Sequence, residues 1–179
     1  MPILSTMGLK KIYVSELKGS EAGALPAFGE GWVDLGDVYQ DTCKLIDSDP
    51  EQTVHRSETS KKKITLTGEY ETTVELTLMD PDLDQLAKYF GGEIAPASKG
   101  QRKWKRPMKL PYKEWAVLQQ PEEGIFIGCA NARIIPKFEI TYSAKGICLV
   151  PMKIIYQSEL LTDETIEDPT QPGGKAPGK

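Results

Sequence analysis

The stretch of residues 65–92 constrains the fold most, because its hydrophobic pattern changes period part-way along. Over residues 72–78, the apolar side chains of Val74, Leu76 and Leu78 alternate with polar ones. This alternation predicts a β-strand with one apolar face and one polar face. The evenly polar second face favours an antiparallel sheet that is open to water, or to a partner, on one side.

The second half of this stretch predicts one short helix over residues 81–90. Asp80 is positioned to cap its first turn, and Pro81 suits the first helical position, where a missing N–H costs nothing. Gly91 and Gly92 then end the helix. The apolar residues recur at the spacing of one helix face, and they are Leu83, Leu86, Ala87 and Phe90.

The length of 179 residues indicates one domain that can bury a core. We expect residues 1–161 to form a single β-rich domain with a short N-terminal arm. Residues 162–179 are acidic and then rich in proline and glycine, which predicts a flexible tail. The formal net charge of −4 argues against a molecule built as a whole to bind polyanions. No signal peptide or membrane-spanning stretch is predicted.

The three cysteines show no paired spacing such as C-x-x-C. Cys129 and Cys148 lie within apolar strand patterns, which is typical of reduced, buried thiols. Cys43 stands alone in a short predicted strand. This usage favours a reducing compartment such as the cytosol over an oxidising one.

Most of the remaining chain predicts short strands that are separated by turn residues. Residues 133–142 and 146–157 predict an antiparallel pair, and a proline in each favours sheet edges or bulges. Residues 52–57 are polar but compatible with a strand, and residues 58–63 predict a charged turn or hairpin tip. Together these patterns predict a mainly β protein, a β-sandwich or partly open barrel of antiparallel strands with one short packed helix.

The motifs of known enzyme classes are absent from the sequence. His55 is the only histidine, and it lies in a polar segment without a cysteine or carboxylate at ligand spacing. No serine lies in G-x-S-x-G, and no phosphate-binding glycine motif opens a helix. The aspartates at positions 80, 82 and 84 suit a helix N-terminus better than a metal loop. We therefore expect no catalytic residues, no metal and no cofactor, and a hidden hydrolase is the weakest alternative.

The basic run of residues 99–113 is the strongest charge feature, and we expect residues 95–110 to form a long irregular loop. One interpretation is a nucleic-acid-binding module of OB type, in which cations contact phosphates and rings stack on bases. Its candidates are Lys103, Trp104, Arg106 and Tyr112. The other interpretation is a loop that docks on an acidic surface of a neighbouring subunit. Its candidates are Lys99, Arg102, Lys103, Trp104, Lys105 and Arg106.

The strand ETTVELTL running into DPDLDQLAKYFGG resembles the phage major tail proteins, the tail tube subunits of long-tailed bacteriophages. The resemblance extends over residues 32–156 and includes the long mid-chain loop, and the acidic tail beyond it also fits. It implies a structural virion protein, not an enzyme, which self-assembles into stacked, hexameric rings around a hollow tube. Tube subunits of contractile injection systems are a second family with the same outline.

The resemblance also implies partners and a location. The partners are further copies of the chain, the tail tip, tail terminator and tape-measure proteins, and DNA that passes through without specific binding; a membrane is not among them. The expected location is the virion tail, after synthesis in the bacterial cytoplasm. The basic loop becomes a contact between rings.

In this interpretation the polar face of the long strand lines the channel of the tube. Residues of one parity share a pleated face, and acidic groups there would repel passing DNA. The lumen candidates are Glu69, Glu71, Thr73, Glu75 and Thr77.

Overall fold

A computed structural model of the chain describes residues 8–18, 24–29, 31–98, 100–140, 142, 146–163 and 168–172. These ranges contain twelve strands and one helix, and every strand pairing is antiparallel. The strands are β1 (Leu9–Glu16), β2 (Val33–Asp34), β3 (Lys44–Ser48), β4 (Gln52–Arg56), β5 (Lys63–Thr67), β6 (Glu71–Met79), β7 (Glu93–Ser98), β8 (Gln101–Lys105), β9 (Trp115–Pro121), β10 (Phe126–Pro136), β11 (Leu149–Tyr156) and β12 (Leu160–Asp163). The helix α1 is Leu83–Phe90. The predicted fold class, mainly β with one short helix, is confirmed.

The main sheet has the strand order β2-β1-β9-β10-β11-β6-β3, and β12 pairs with β10 beyond the end of β11. The segment between β2 and β3 contacts both ends of this sheet. The Leu35 N–H donates to the Ile12 carbonyl in β1 at 2.8 Å, and the Tyr39 N–H donates to the Thr77 carbonyl in β6 at 2.8 Å. This segment therefore links strands near the two ends of the sheet, and the described strands do not close into a barrel.

The long strand β6 alternates as predicted. Val74, Leu76 and Leu78 are buried in the core. β6 pairs with β3 on one side and β11 on the other, and a slip of one residue would expose this whole apolar face. The same core contains Ile12, Val14, Leu35, Phe90, Trp115, Val117, Ile134, Met152 and Ile154.

The helix begins later than we predict from sequence, because Asp82 and not Asp80 is its N-cap. The Asp82 carboxylate accepts a hydrogen bond from the Gln85 N–H at 2.7 Å, and the Gln85 side-chain oxygen accepts one from the Asp82 N–H at 3.0 Å. Asp80 adopts a left-handed conformation with φ of 46°, and Pro81 lies before the cap. Only Asp82 is followed three residues later by a glutamine that completes a capping box.

Replacing Asp82 with alanine should lower the free energy of unfolding by about 1 kcal/mol, because the Gln85 N–H then loses its partner. Urea unfolding followed by circular dichroism measures this change. The Asp82→Asn variant is the control, since asparagine caps helices about as well as aspartate. Equal destabilisation by both substitutions would contradict the capping role.

A second hydrophobic cluster covers one half of the outer face of the sheet. It forms because β1 and β9 are buried on both faces, so their second faces need a separate cover. Leu25, Phe28 and Trp32 supply that cover from the segment before β2. They pack on Tyr13, Leu17, Ala116 and Leu118.

Two stretches of the predicted tail contact the body of the protein. Asp163 pairs with Phe126 in the ladder between β12 and β10. Pro169 is buried, and its carbonyl accepts a hydrogen bond from the Gly29 N–H at 2.7 Å. Residue 162 is therefore not a structural boundary. Residues 164–167 and 173–179 lie outside the described ranges, and a flexible tail there stays a prediction.

The prediction of an irregular loop over residues 95–110 is wrong for its first part, because β7 and β8 form an antiparallel hairpin there. The Trp104 indole N–H donates to the Gly91 carbonyl at 3.0 Å, and its ring packs on Phe90 and Phe138. Contacts with residues outside the hairpin thus hold β8, whose other side chains are polar or charged.

The predicted antiparallel pair is confirmed as β10 and β11, in a register from Ala132↔Tyr156 to Pro136↔Met152. Both strands are shorter than predicted at their connected ends. β10 ends at Pro136, where the missing N–H removes a ladder donor. Residues 143–145 of the predicted turn lie outside the described ranges.

Candidate assembly surfaces

The polar face of β6 is open on the half of the sheet that the second cluster leaves uncovered. Glu71 and Glu75 are exposed, Thr77 is half-buried and Thr73 is buried between its neighbours. Glu69 is exposed in the segment between β5 and β6. The structure therefore places four of the five lumen candidates on one pleated face, with Glu69 just beyond it.

This face is not uniformly acidic. In the sheet register Glu75 pairs with Lys44 on β3 and with Lys153 on β11. Directly opposed residues lie about 5 Å apart, so Glu75 has a lysine on both sides. The sequence hides this arrangement because the three residues are far apart along the chain. Repulsion of DNA by an acidic wall therefore finds little support in the charges of this face.

The same face contains a shallow concavity of about 550 Å³ beside Glu75. Lys44, Lys137 and Lys153 line it together with Thr77 and Asp41. Lys137 is also paired with Glu139 at 2.9 Å. Because its positive and negative charges are nearly balanced, the concavity resembles a solvated surface more than a binding site for one charged ligand.

Residues 51–70 form a second surface, which we call the ribbon. It consists of β4, a tip at residues 57–62, β5 and the link to β6, and every one of its residues is exposed. An isolated two-stranded hairpin is at best marginally stable in water. The ribbon also leaves apolar side chains in water, namely Val54, Ile64, Leu66 and Tyr70. These features are typical of a segment that becomes covered in an assembly.

The sequence predicts the hairpin at residues 52–67 but gives no sign that it leaves the body of the protein. β3 and β6 continue directly into β4 and β5, and the Gly68 N–H donates to the Glu51 carbonyl at 2.8 Å where the two halves meet. β4 pairs only with β5 among the described strands. Its outer edge, like that of β3, therefore offers free backbone groups to another chain.

The residues predicted to contact a neighbouring ring of subunits lie in different environments in the structure. One guanidinium nitrogen of Arg102 donates to both carboxylate oxygens of Asp84, at 3.0 and 2.9 Å. The Arg106 guanidinium lies 5.1 Å from the centroid of the Phe90 ring. Lys103 and Lys105 are exposed on β8, and Trp104 is half-buried. Lys99 lies outside the described residues.

The nucleic-acid-binding interpretation needs the aromatic rings of Trp104 and Tyr112 to stack on bases, but each ring already has partners within the protein. Trp104 packs on Phe90 and Phe138, as described above. Tyr112 lies under the guanidinium of Arg133, at 5.4 Å from its ring centroid. Its hydroxyl donates to the Glu114 carboxylate at 2.8 Å, which raises the pKa of the phenol.

Burial shifts the pKa of two groups that pack in or against the core. Burial raises the pKa of the Cys43 thiol to about 11, so it is protonated at neutral pH, and burial raises the pKa of Tyr156 further still. His55 is exposed on β4. In the described part of the chain, no three His, Cys, Asp or Glu side chains are grouped to hold a metal ion. Within the same ranges, no helix has the length and hydrophobicity to cross a bilayer.

No protein-family model and no curated protein matches this sequence. Several solved chains are similar in structure. A chain in the tail of an empty GTA particle, determined with C6 symmetry, aligns with a TM-score of 0.45 and 13% identity, over 88% of this chain and 96% of that one. A chain in the tube terminating cap of the anti-feeding prophage aligns with a TM-score of 0.43 and 8% identity, over 92% and 95%.

A chain in the sheath/tube terminator of an extracellular contractile injection system, in its extended state, aligns with a TM-score of 0.42 and 9% identity, over 89% and 97%. These structures are of tails and injection systems, the class of assembly that the sequence resembles. Because their TM-scores lie below 0.5, they decide neither the fold nor the function of this chain.

Proposed function

We propose that this protein is a structural subunit that assembles with copies of itself into stacked rings, as the wall of a hollow phage tail tube. The observation that carries the proposal is the ribbon, in which all of residues 51–70 are exposed. A conformation with so little burial needs contacts from another chain to become ordered. The ribbon is thus an assembly element and not part of the subunit core.

Ring closure would solve the problem of the free sheet edge. β3 pairs with β6 on one side, and in the described residues its other side has no strand. A neighbouring copy that paired there would continue the sheet around a ring, and closure would remove the exposed edges. The polar face of Glu71, Thr73, Glu75 and Thr77 would then line the channel.

A channel of this kind suits passage of DNA without specific binding. The row of Lys44, Glu75 and Lys153 alternates in charge, so it neither holds nor strongly repels a polyanion over its length. The partners in this proposal are further copies of the chain and the proteins that begin, measure and end a tail. The location is the virion tail.

The proposal predicts hollow rings or rods of uniform diameter when the concentrated protein is viewed by negative-stain electron microscopy. Amide hydrogen exchange should show rapid exchange across residues 51–70 in the free subunit and protection in the assembled one. The core strand β6 serves as the internal control, since it should be protected in both states. Compact closed dimers, or ribbon amides that exchange equally in both states, would contradict the proposal.

A further inference from the structure

The tip of the ribbon and the region beyond the last residue of β6 carry opposite charge. The ribbon lies before its first residue, Glu71, and the tip of the ribbon is basic apart from Glu58. The segment after its last residue, Met79, is acidic, and we call this region the acidic end. The cations of the tip region are Arg56, Lys61, Lys62 and Lys63; the carboxylates of the acidic end are Asp34, Asp37, Asp41, Asp80, Asp82 and Asp84.

The acidic end is concave. A groove of about 690 Å³ is lined by Asp37, Asp41 and Met79, among others. The Met79 N–H donates to the Asp37 carbonyl at 2.8 Å, which ties this wall of the groove to β6. Lys10 and Lys11 line the groove as well and reduce its negative charge.

Three carboxylates of the acidic end are already engaged. Asp34 pairs with Lys11 at 3.0 Å, Asp84 pairs with Arg102 at 2.9 Å, and Asp82 caps the helix. Within the described ranges, no ion pair or side-chain hydrogen bond engages the other three carboxylates, nor the four cations of the tip region. These three are Asp37, Asp41 and Asp80.

The tip of the ribbon lies far from the acidic end of its own chain. β6 has nine residues, and at about 3.3 Å per residue its ends are separated by roughly 25 Å. The ribbon extends the same strand pair further from the helix. Its cations and the three available aspartates therefore meet only when they belong to different copies.

We propose that the ribbon tip of one copy binds the acidic end of a second copy, so that copies join head to tail along β6. Such a heterologous contact leaves a free tip at one end and a free acidic end at the other, and therefore propagates. Complementary charge fixes the polarity of the stack and speeds encounter. The inference rests on the self-assembly proposed above, and it names the two surfaces that meet between successive rings.

Directed cross-linking tests the contact. Lys62→Cys is placed in one copy and Asp37→Cys in another, both with Cys43→Ser and Cys148→Ser, and the mixture is treated with a short bismaleimide. We expect the link between the two variants to be the main product. Rods that form without this link would overturn the inference but leave the tube proposal standing. Absence of both rods and links would overturn both.

Charge reversal provides an independent measurement. Lys61→Glu with Lys62→Glu should raise the concentration needed for half-assembly by about tenfold or more at low salt. Adding Asp37→Lys to this variant should restore opposite charges at the contact and bring that concentration part of the way back. Lys18→Glu with Lys109→Glu is the matched control, because it changes the net charge equally at two exposed lysines that belong to neither surface. An equal effect of the control, or no rescue, would overturn the inference.

Discussion

Replacing Phe90 with alanine is expected to lower the free energy of unfolding by about 3–5 kcal/mol. Phe90 is 2% exposed at the last position of α1. Its ring lies 5.8 Å from that of Trp104 and 5.7 Å from that of Phe138, between centroids. Loss of the ring leaves a cavity where the helix, the β7–β8 hairpin and the segment after β10 meet.

The effect should exceed the transfer energy of one phenyl ring, because three elements depend on the same side chain. Trp104 anchors the β7–β8 hairpin through Phe90 and the Gly91 carbonyl. We therefore expect exchange of the β7 and β8 amides to increase in Phe90→Ala more than exchange in β6. A uniform increase over all strands would show that the hairpin has other support.

Urea unfolding monitored by tryptophan fluorescence and circular dichroism measures the change. Tyr142→Ala is the control, since Tyr142 is 94% exposed and its removal should change stability by no more than about 0.5 kcal/mol. A loss below about 1 kcal/mol for Phe90→Ala would contradict a tightly packed junction.

Phe90 also shows which parts of the fold the sequence predicts well. Its place on the helix stripe follows from a local period, as do Val74, Leu76 and Leu78 on β6. In each case one face of one element packs in the core, and the spacing of apolar residues along the sequence identifies that face directly. The partners of Phe90 do not follow from any local pattern, because Trp104 lies in a run of charged residues.

The predicted helix start is wrong for a different reason. Asp80 and Asp82 are the same residue type, and each satisfies the rule for an N-cap. The choice depends on Gln85, whose side chain completes a capping box with Asp82. The sequence contains this signal, but the preference of proline for the first helical position favours Asp80 as the cap.

The geometry of the candidate assembly surfaces follows from the sequence only in part. Parity along β6 is local, so the shared face of Glu71, Thr73 and Glu75 was predictable. The lysines that flank Glu75 depend on the register of β3 and β11, which no single stretch encodes. Exposure of the ribbon was equally hidden, because alternation in β4 and β5 is the same whether a hairpin lies on the body or projects from it.

Deletion of the ribbon should abolish assembly and leave the subunit folded. The change replaces residues 49–70 with Asn-Gly, so that Ser48 and Glu71, which already pair, flank a two-residue turn. Because residues 51–70 bury no side chain, Asp49 is exposed and Pro50 is half-buried, the deletion should change the free energy of unfolding by less than about 1 kcal/mol. The shorter connection even lowers the entropy cost of joining β3 to β6.

Assembly should fail because the deleted segment carries both the exposed apolar side chains and the basic tip. Analytical ultracentrifugation gives the mass distribution, and urea unfolding verifies that the variant is folded. The full-length variant Ile64→Ser with Leu66→Ser keeps the ribbon and its charge while removing two apolar contacts. It should need a higher concentration to assemble than the unmodified chain. This result would show that assembly depends on burial of the apolar side chains, and not only on the presence of the ribbon.

These two variants together distinguish an assembly element from a support of the subunit fold. If the deletion variant unfolds, the ribbon stabilises the isolated subunit. The ribbon would then have a second conformation in which it contacts the body of its own chain. If it folds and still forms hollow rods, the ribbon does not join copies, and ring stacking must use other surfaces such as the β7–β8 hairpin. A folded deletion variant that stays monomeric at concentrations where the unmodified chain forms rods is the result that burial and charge predict.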